Sequence, residues 1–145
     1  MEESVGMKEE NVFRKSNTSL TEEDIKMMSP LKLAYVGDAC YELMVRTYLL
    51  DRDLSVDSLH KKNVGYVKAG AQADLVHDLE EVLSEKEKRI IKRGRNTKSH
   101  SNPKGASLID YKYSTGFEAL FGYLYLTNQN ERLEELFNHI IKLKK

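Results

Sequence analysis

Two acids set into apolar sequence are the residues best placed to do chemistry. Asp38 stands in Tyr35-Val36-Gly37-Asp38-Ala39-Cys40-Tyr41-Glu42, and Glu118 in Gly116-Phe117-Glu118-Ala119-Leu120-Phe121-Gly122. Between Gly116 and Leu126 the only charged side chain is Glu118. A charge on so apolar a helix is costly to bury unless it is paired or holds a cation. From Leu33 to Val45 the only charges are Asp38 and Glu42, four apart and therefore on one helical face, with Arg46 a turn further on. Paired carboxylate oxygens suit a hard cation such as Mg²⁺ or Mn²⁺. The competing reading of either acid alone is an ordinary ion-paired carboxylate at the edge of a core.

The elements that must position these acids carry their own signal. Gly37 falls mid-helix, where glycine costs about 1 kcal/mol relative to alanine. A close approach of another backbone would justify it. Gly122, one turn beyond Glu118, makes the same suggestion on the second helix. Two helices crossing at these glycines would bring Asp38 and Glu118 together.

Around them the periodicity predicts helices throughout. Thr21 with Asp24 reads as a helix start, and Pro30 suits the first turn of a helix over 29–50. Ser55 caps a helix over 55–63, and a further one spans 64–77 with Val67, Ala71 and Leu75 at four-residue spacing. Ser84 with Glu87 forms a capping box opening a basic helix over 85–93, with Gly94 as its C-cap. Glycine, proline, asparagine and serine mark the stretch from 94 as a long loop, running to 112. Helices over 113–127 and 130–143 close the chain. No alternating strand pattern is present, so the fold class is all-α. Residues 1–20 are polar and aperiodic and read as a flexible tail, leaving 21–145 as a single domain.

Composition bounds the function. The chain has 145 residues, 32% charged and 40% hydrophobic, as in soluble globular proteins. It holds no apolar run of membrane-spanning length and no apolar signal region. Its one cysteine, Cys40, excludes an intramolecular disulfide and fits the cytoplasm. The net charge of zero conceals an asymmetry, because Lys88 to Ile109 carries seven bases and no acid. Arginine forks and lysine point charges in one segment suit phosphate. Lys92, Arg93, Arg95, Asn96, Lys98 and Lys104 are the candidate contacts to a nucleic-acid backbone. A solvated basic helix followed by a loop is the plainer alternative. The four histidines are scattered and have no metal-ligand spacing.

Together these residues resemble a known family. Tyr35-Val36-Gly37-Asp38-Ala39 is similar to the Gly-Asp-Ala signature helix of the ribonuclease III catalytic domain. Phe117-Glu118-Ala119-Leu120 through Tyr125-Leu126 is similar to its second acidic motif. The resemblance covers about residues 24–143. With Arg93-Gly94-Arg95-Asn96 and no RNA-binding domain after the last helix, it points to the Mini branch of that family. Members with the full acidic set carry a glutamate four residues before the signature aspartate and an aspartate three before the second glutamate. Here those positions are Ala34 and Thr115, a reduction typical of the branch.

The resemblance implies a ribonuclease III-type helical bundle and a Mg²⁺-dependent endonuclease, with Mn²⁺ able to substitute. It would cleave double-stranded RNA, expected to be the precursor of large-subunit (23S) ribosomal RNA, leaving 5′-phosphate and 3′-hydroxyl ends. Asp38 and Glu118 would be the catalytic metal ligands and Glu42 an outer-shell carboxylate. Cutting two strands implies a two-fold homodimer, for which Tyr41, Met44 and Tyr48 are the interface candidates. The alternative is a non-catalytic RNA-binding or ribosome-associated module on the same fold, a reading that the two missing acids keep open.

Overall fold

The computed structural model describes residues 11–98 and 107–145. Among these residues there are seven α-helices and no strand. In chain order they are α1 (Glu22–Lys26), α2 (Pro30–Leu49), α3 (Val56–Val67), α4 (Ala69–Asp78), α5 (Glu85–Arg95), α6 (Leu108–Leu126) and α7 (Asn130–Leu143). The expected all-α bundle is what forms.

Local chemistry sets the boundaries. Thr21 and Asp24 make a reciprocal capping box on α1, and Ser84 and Glu87 make another on α5. Ser29 and Pro30 open α2. Three boundaries differ from expectation. The break between α3 and α4 falls at Lys68, whose backbone is extended (φ −63°, ψ 154°), rather than at residue 63. Helix α6 begins at Leu108, five residues before 113, because the Ser107 hydroxyl accepts from the Asp110 N–H at 3.0 Å. Gly94 is not a C-cap but lies buried inside α5, which ends at Arg95 with Asn96 as its C-cap.

Helix α6 is the axis, packed against α2, α4, α5 and α7. Its long run of buried residues includes Phe117, Ala119, Leu120, Phe121 and Leu124. Tyr41 from α2 meets Phe117 and Phe121 edge-on, at centroid distances of 4.8 and 5.2 Å. Burying each such ring stabilises by roughly 1.5–3 kcal/mol, and edge-on contacts add to that. Tyr41 is fully buried and its hydroxyl donates to the Tyr66 carbonyl at 3.0 Å. That removes it from the candidate dimer surface.

The second half of the expected tail is fastened down. Arg14 is buried, and its guanidinium donates to the carbonyls of Leu126, Asn17 and Leu20 at 2.8–2.9 Å. A cation there also suits the carbonyl end of α6. The first ten residues of that tail lie outside the described part of the chain.

Candidate active site

Helices α2 and α6 cross at Gly37 and Gly122. A Cβ on Gly37 would overlap the Glu118 carbonyl oxygen and lie 2.6 Å from the Gly122 nitrogen. A Cβ on Gly122 would overlap the Leu33 carbonyl. Both glycines are therefore required by backbone-on-backbone contact, as their cost in mid-helix suggested. The crossing sets Asp38, one residue after Gly37, beside Glu118, one turn before Gly122.

Glu118 is mostly buried, and burial pushes its carboxyl up to about 8. Asp38 pushes the same way, through its charge and a hydrogen bond between the two carboxyls, and Glu42 adds its charge. Among the described residues no arginine or lysine offsets them; the Gln72 side chain, hydrogen-bonded to Glu118, acts in the opposite direction. This is a cluster of like charges held together by packing. Such a cluster is stable as a proton-sharing pair or around a cation.

Glu42 is placed differently. Its Oε2 accepts from Arg46 Nε at 3.0 Å and from Asn63 Nδ2 at 2.5 Å. With those partners it borders the Asp38–Glu118 pair rather than joining it. Among the described residues, no group of three His, Cys, Asp or Glu side chains is arranged to hold a metal ion. The hard-oxygen donor set of Asp38 and Glu118 nonetheless fits a cation such as Mg²⁺ that keeps several waters of its own. At the two positions where other members carry acids, Ala34 is buried and Thr115 donates its hydroxyl to the Tyr111 carbonyl at 3.0 Å. The Thr115 hydroxyl hydrogen is therefore committed to its own helix.

Two buried amides were missed in the sequence. Gln72 on α4 is fully buried and Asn63 on α3 is 4% exposed. The available signal was their register, since Asn63 shares a face with Leu59 and Val67, and Gln72 with Leu75, Val76 and Leu79. A polar side chain at a core position of that kind needs a reason. Cys40, by contrast, packs against the core. Burial pushes its thiol up to about 11, so it stays protonated and packs.

The basic segment is anchored to the same helix. A Cβ on Gly94 would lie 2.7 Å from the Gly116 Cα, and one on Gly116 would overlap the Ile91 carbonyl. The last turn of α5 is thus pressed against α6 two residues before Glu118. Lys92, Arg93, Asn96 and Lys98 are exposed. Arg95 is half-buried, its guanidinium 5.6 Å from the Tyr113 ring centroid, and Tyr113 leans on His77 at 4.8 Å. Lys104 lies outside the described residues. Three bases in the last turn of a helix also complement its dipole, so their exposure, not their number, is what leaves them available to phosphate.

A second surface adjoins the acids. Tyr35 and Leu43 on α2 are 83% and 54% exposed and share a face with Ala39. With Phe13, Val36, Cys40 and Tyr125 they line a groove of about 520 Å³ that Asp38 and Glu42 border. Of the other interface candidates, Met44 is half-buried against the core, and Tyr48, though 42% exposed, leans on Tyr66 and Phe137. The described helices contain none long and apolar enough to cross a membrane.

Comparison with known proteins gives the family. The profile of the Ribonuclease III domain matches residues 31–129. Mini-ribonuclease 3 of Clostridium tetani is 49% identical over 125 residues, covering 85% of this chain and 83% of the relative. Mini-ribonuclease 3 of Symbiobacterium thermophilum is 51% identical over 110 residues, covering 75% and 85%. A crystal structure of a Fusobacterium nucleatum protein superposes with a TM-score of 0.75 at 33% identity, over 84% of this chain and 98% of the other. With its signature acids meeting at a glycine-lined helix crossing, the chain belongs to the ribonuclease III family of endoribonucleases that act on double-stranded RNA.

Proposed function

We propose that this chain hydrolyses both strands of an RNA duplex at Asp38 and Glu118, with Mg²⁺ as the working cation and Mn²⁺ as a substitute. The observation that carries the proposal is Glu118 itself. It is a largely buried carboxyl driven up to about 8 by burial and by Asp38, with no base beside it among the described residues. Strongly perturbed groups of this kind concentrate at functional sites. A divalent cation bound there would supply positive charge against the phosphate oxygens as negative charge builds on them.

The chain's own residues do the rest. Asp38 and Glu118 hold the cation, directly or through water, and a hydrogen bond to Gln72 restrains Glu118. Glu42, fixed by Arg46 and Asn63, serves as an outer carboxylate. Lys92, Arg93, Arg95, Asn96, Lys98 and Lys104 grip the phosphates, and A-form geometry is read across the minor groove rather than base by base. The products carry 5′-phosphate and 3′-hydroxyl ends. The expected substrate is the precursor of 23S ribosomal RNA in the cytoplasm.

One site cuts one strand, so a homodimer supplies the second. The exposed Tyr35, Ala39 and Leu43 face of α2 is the surface for a second copy, because it is apolar, open to solvent and adjoins Asp38. Leu43→Glu is expected to shift the mass measured by light scattering from dimer to monomer. An unchanged dimer would move the interface elsewhere.

The test of the activity is a long RNA duplex incubated with the protein in Mg²⁺ and in EDTA, with the ends of the products determined. Cleavage in Mg²⁺ alone, giving 5′-phosphates, is the expected result. Binding without cleavage of either a generic duplex or a ribosomal precursor would favour the non-catalytic module.

A further inference from the structure

Two buried amide oxygens beside the acid site have no hydrogen-bond donor among the described residues. They are Gln72 Oε1 and Asn63 Oδ1. Each belongs to an amide whose nitrogen is already committed. Gln72 Nε2 donates to the Val67 carbonyl at 3.1 Å, and the Gln72 side chain is also bonded to Glu118. Asn63 Nδ2 donates to Glu42 at 2.5 Å. Rotating either amide by half a turn would set its oxygen against a carbonyl or a carboxylate, so the oxygens are the atoms left over. Leaving a buried acceptor unmet costs about 1–3 kcal/mol. Two such atoms flanking one carboxylate cluster need an explanation.

The direct ligand set at this site is small. Asp38 and Glu118 form a pair, Glu42 is held aside by Arg46, and among the described residues no three metal-ligating side chains converge. A small hard cation with so few protein ligands keeps much of its water, and every hydrogen of that water needs an acceptor. We infer that Gln72 and Asn63 are positioning residues whose side-chain oxygens accept hydrogen bonds from the water shell of the cation. They would extend a two-carboxylate site into an oxygen-lined cage that is neutral on the α3–α4 side. The inference rests on the proposed cation at Asp38 and Glu118 and deepens it. It assigns work to α3 and α4, which carry none of the acids.

The test uses Mn²⁺ alone, without RNA, titrated into the full chain and followed by electron paramagnetic resonance. Gln72→Met and Asn63→Leu keep side-chain bulk and remove the acceptors. Each is expected to weaken Mn²⁺ binding by about 10-fold or more, as loss of outer-shell partners does elsewhere. Gln72→Glu keeps an oxygen at that place and is expected to hold affinity within a few-fold. Melting in EDTA establishes that each variant is folded. Unchanged Mn²⁺ affinity in folded Gln72→Met and Asn63→Leu would overturn the inference while leaving the cation at Asp38 and Glu118 intact. Absence of Mn²⁺ binding by the native chain would remove the cation reading and this inference together.

Discussion

Glu87 and Glu118 are both largely buried glutamates, and their surroundings are opposite. Glu87 caps α5 through Ser84 and forms a forked pair with Arg132, with both bonds at 2.8 Å. Burial alone would raise its carboxyl. Arg132 and the Ser84 N–H outweigh that and hold it below the ordinary carboxylate range. Glu118 has burial and a neighbouring acid both acting to raise it, and Gln72 alone acting against them. The first acid is neutralised by the fold. The second is left for something the fold does not contain. Burial alone therefore does not set the two apart; the opposing base at Glu87 does.

That contrast can be broken at several points. Asp38→Asn is expected to lower cleavage by on the order of 10³-fold, the several kcal/mol that a cation's charge stabilisation is worth. RNA affinity measured by anisotropy should stay the same; lost binding or a lost fold would make Asp38 structural. Glu87→Ala should do the reverse. It removes the forked partner of Arg132, which keeps Glu135 and the Val82 carbonyl, together with the capping-box carboxylate, and is expected to cost about 2 kcal/mol of stability in urea denaturation. The cleavage rate per folded molecule should not change.

The two acids also predict opposite responses to pH. Glu118 keeps its proton in the folded chain up to about 8, whereas the unfolded group releases it near its ordinary value of 4.5. Over that interval the folded state binds more protons, so in EDTA this group makes stability fall as pH rises. Glu118→Gln should flatten the fall. Glu87 runs the other way: its contribution is present above the ordinary glutamate value and disappears as pH drops through its lowered one. Melting curves of the two single variants across pH, without metal, separate the contributions. The smallest expected effect is that of Arg95→Ala, which should weaken duplex binding and reduce the slope of log affinity against log salt by about 1. An unchanged slope would leave Arg95 as a partner of Tyr113 and no more.

Much of this arrangement was legible in the sequence where packing and chemistry agree. Gly37 and Gly122 advertised a crossing because glycine in mid-helix has a cost that only close contact repays. The crossing in turn explained why two distant acids meet. Ser84 and Thr21 announced their helices through capping boxes. Gly94 misled for the same reason that Gly37 informed. A glycine near a helix end fits a C-cap as well as a close contact, and only its packing on Gly116 separates the two. The early start of α6 was signalled by Ser107 and Asp110, but it was obscured by the polar residues between them and Tyr113. Asn63 and Gln72 stayed hidden because their role depends on which atoms of an amide are already bonded, and that is a property of three dimensions. Tyr41 reads equally well as surface or core until its ring is seen between Phe117 and Phe121.

The most direct measurement compares the native chain with Glu118→Gln on a long RNA duplex in Mg²⁺, scoring cleavage and binding in the same samples. The account predicts duplex bound equally by both and cut by the native chain alone. Equal cleavage by the two, or no cleavage by either on any duplex while binding persists, would contradict it.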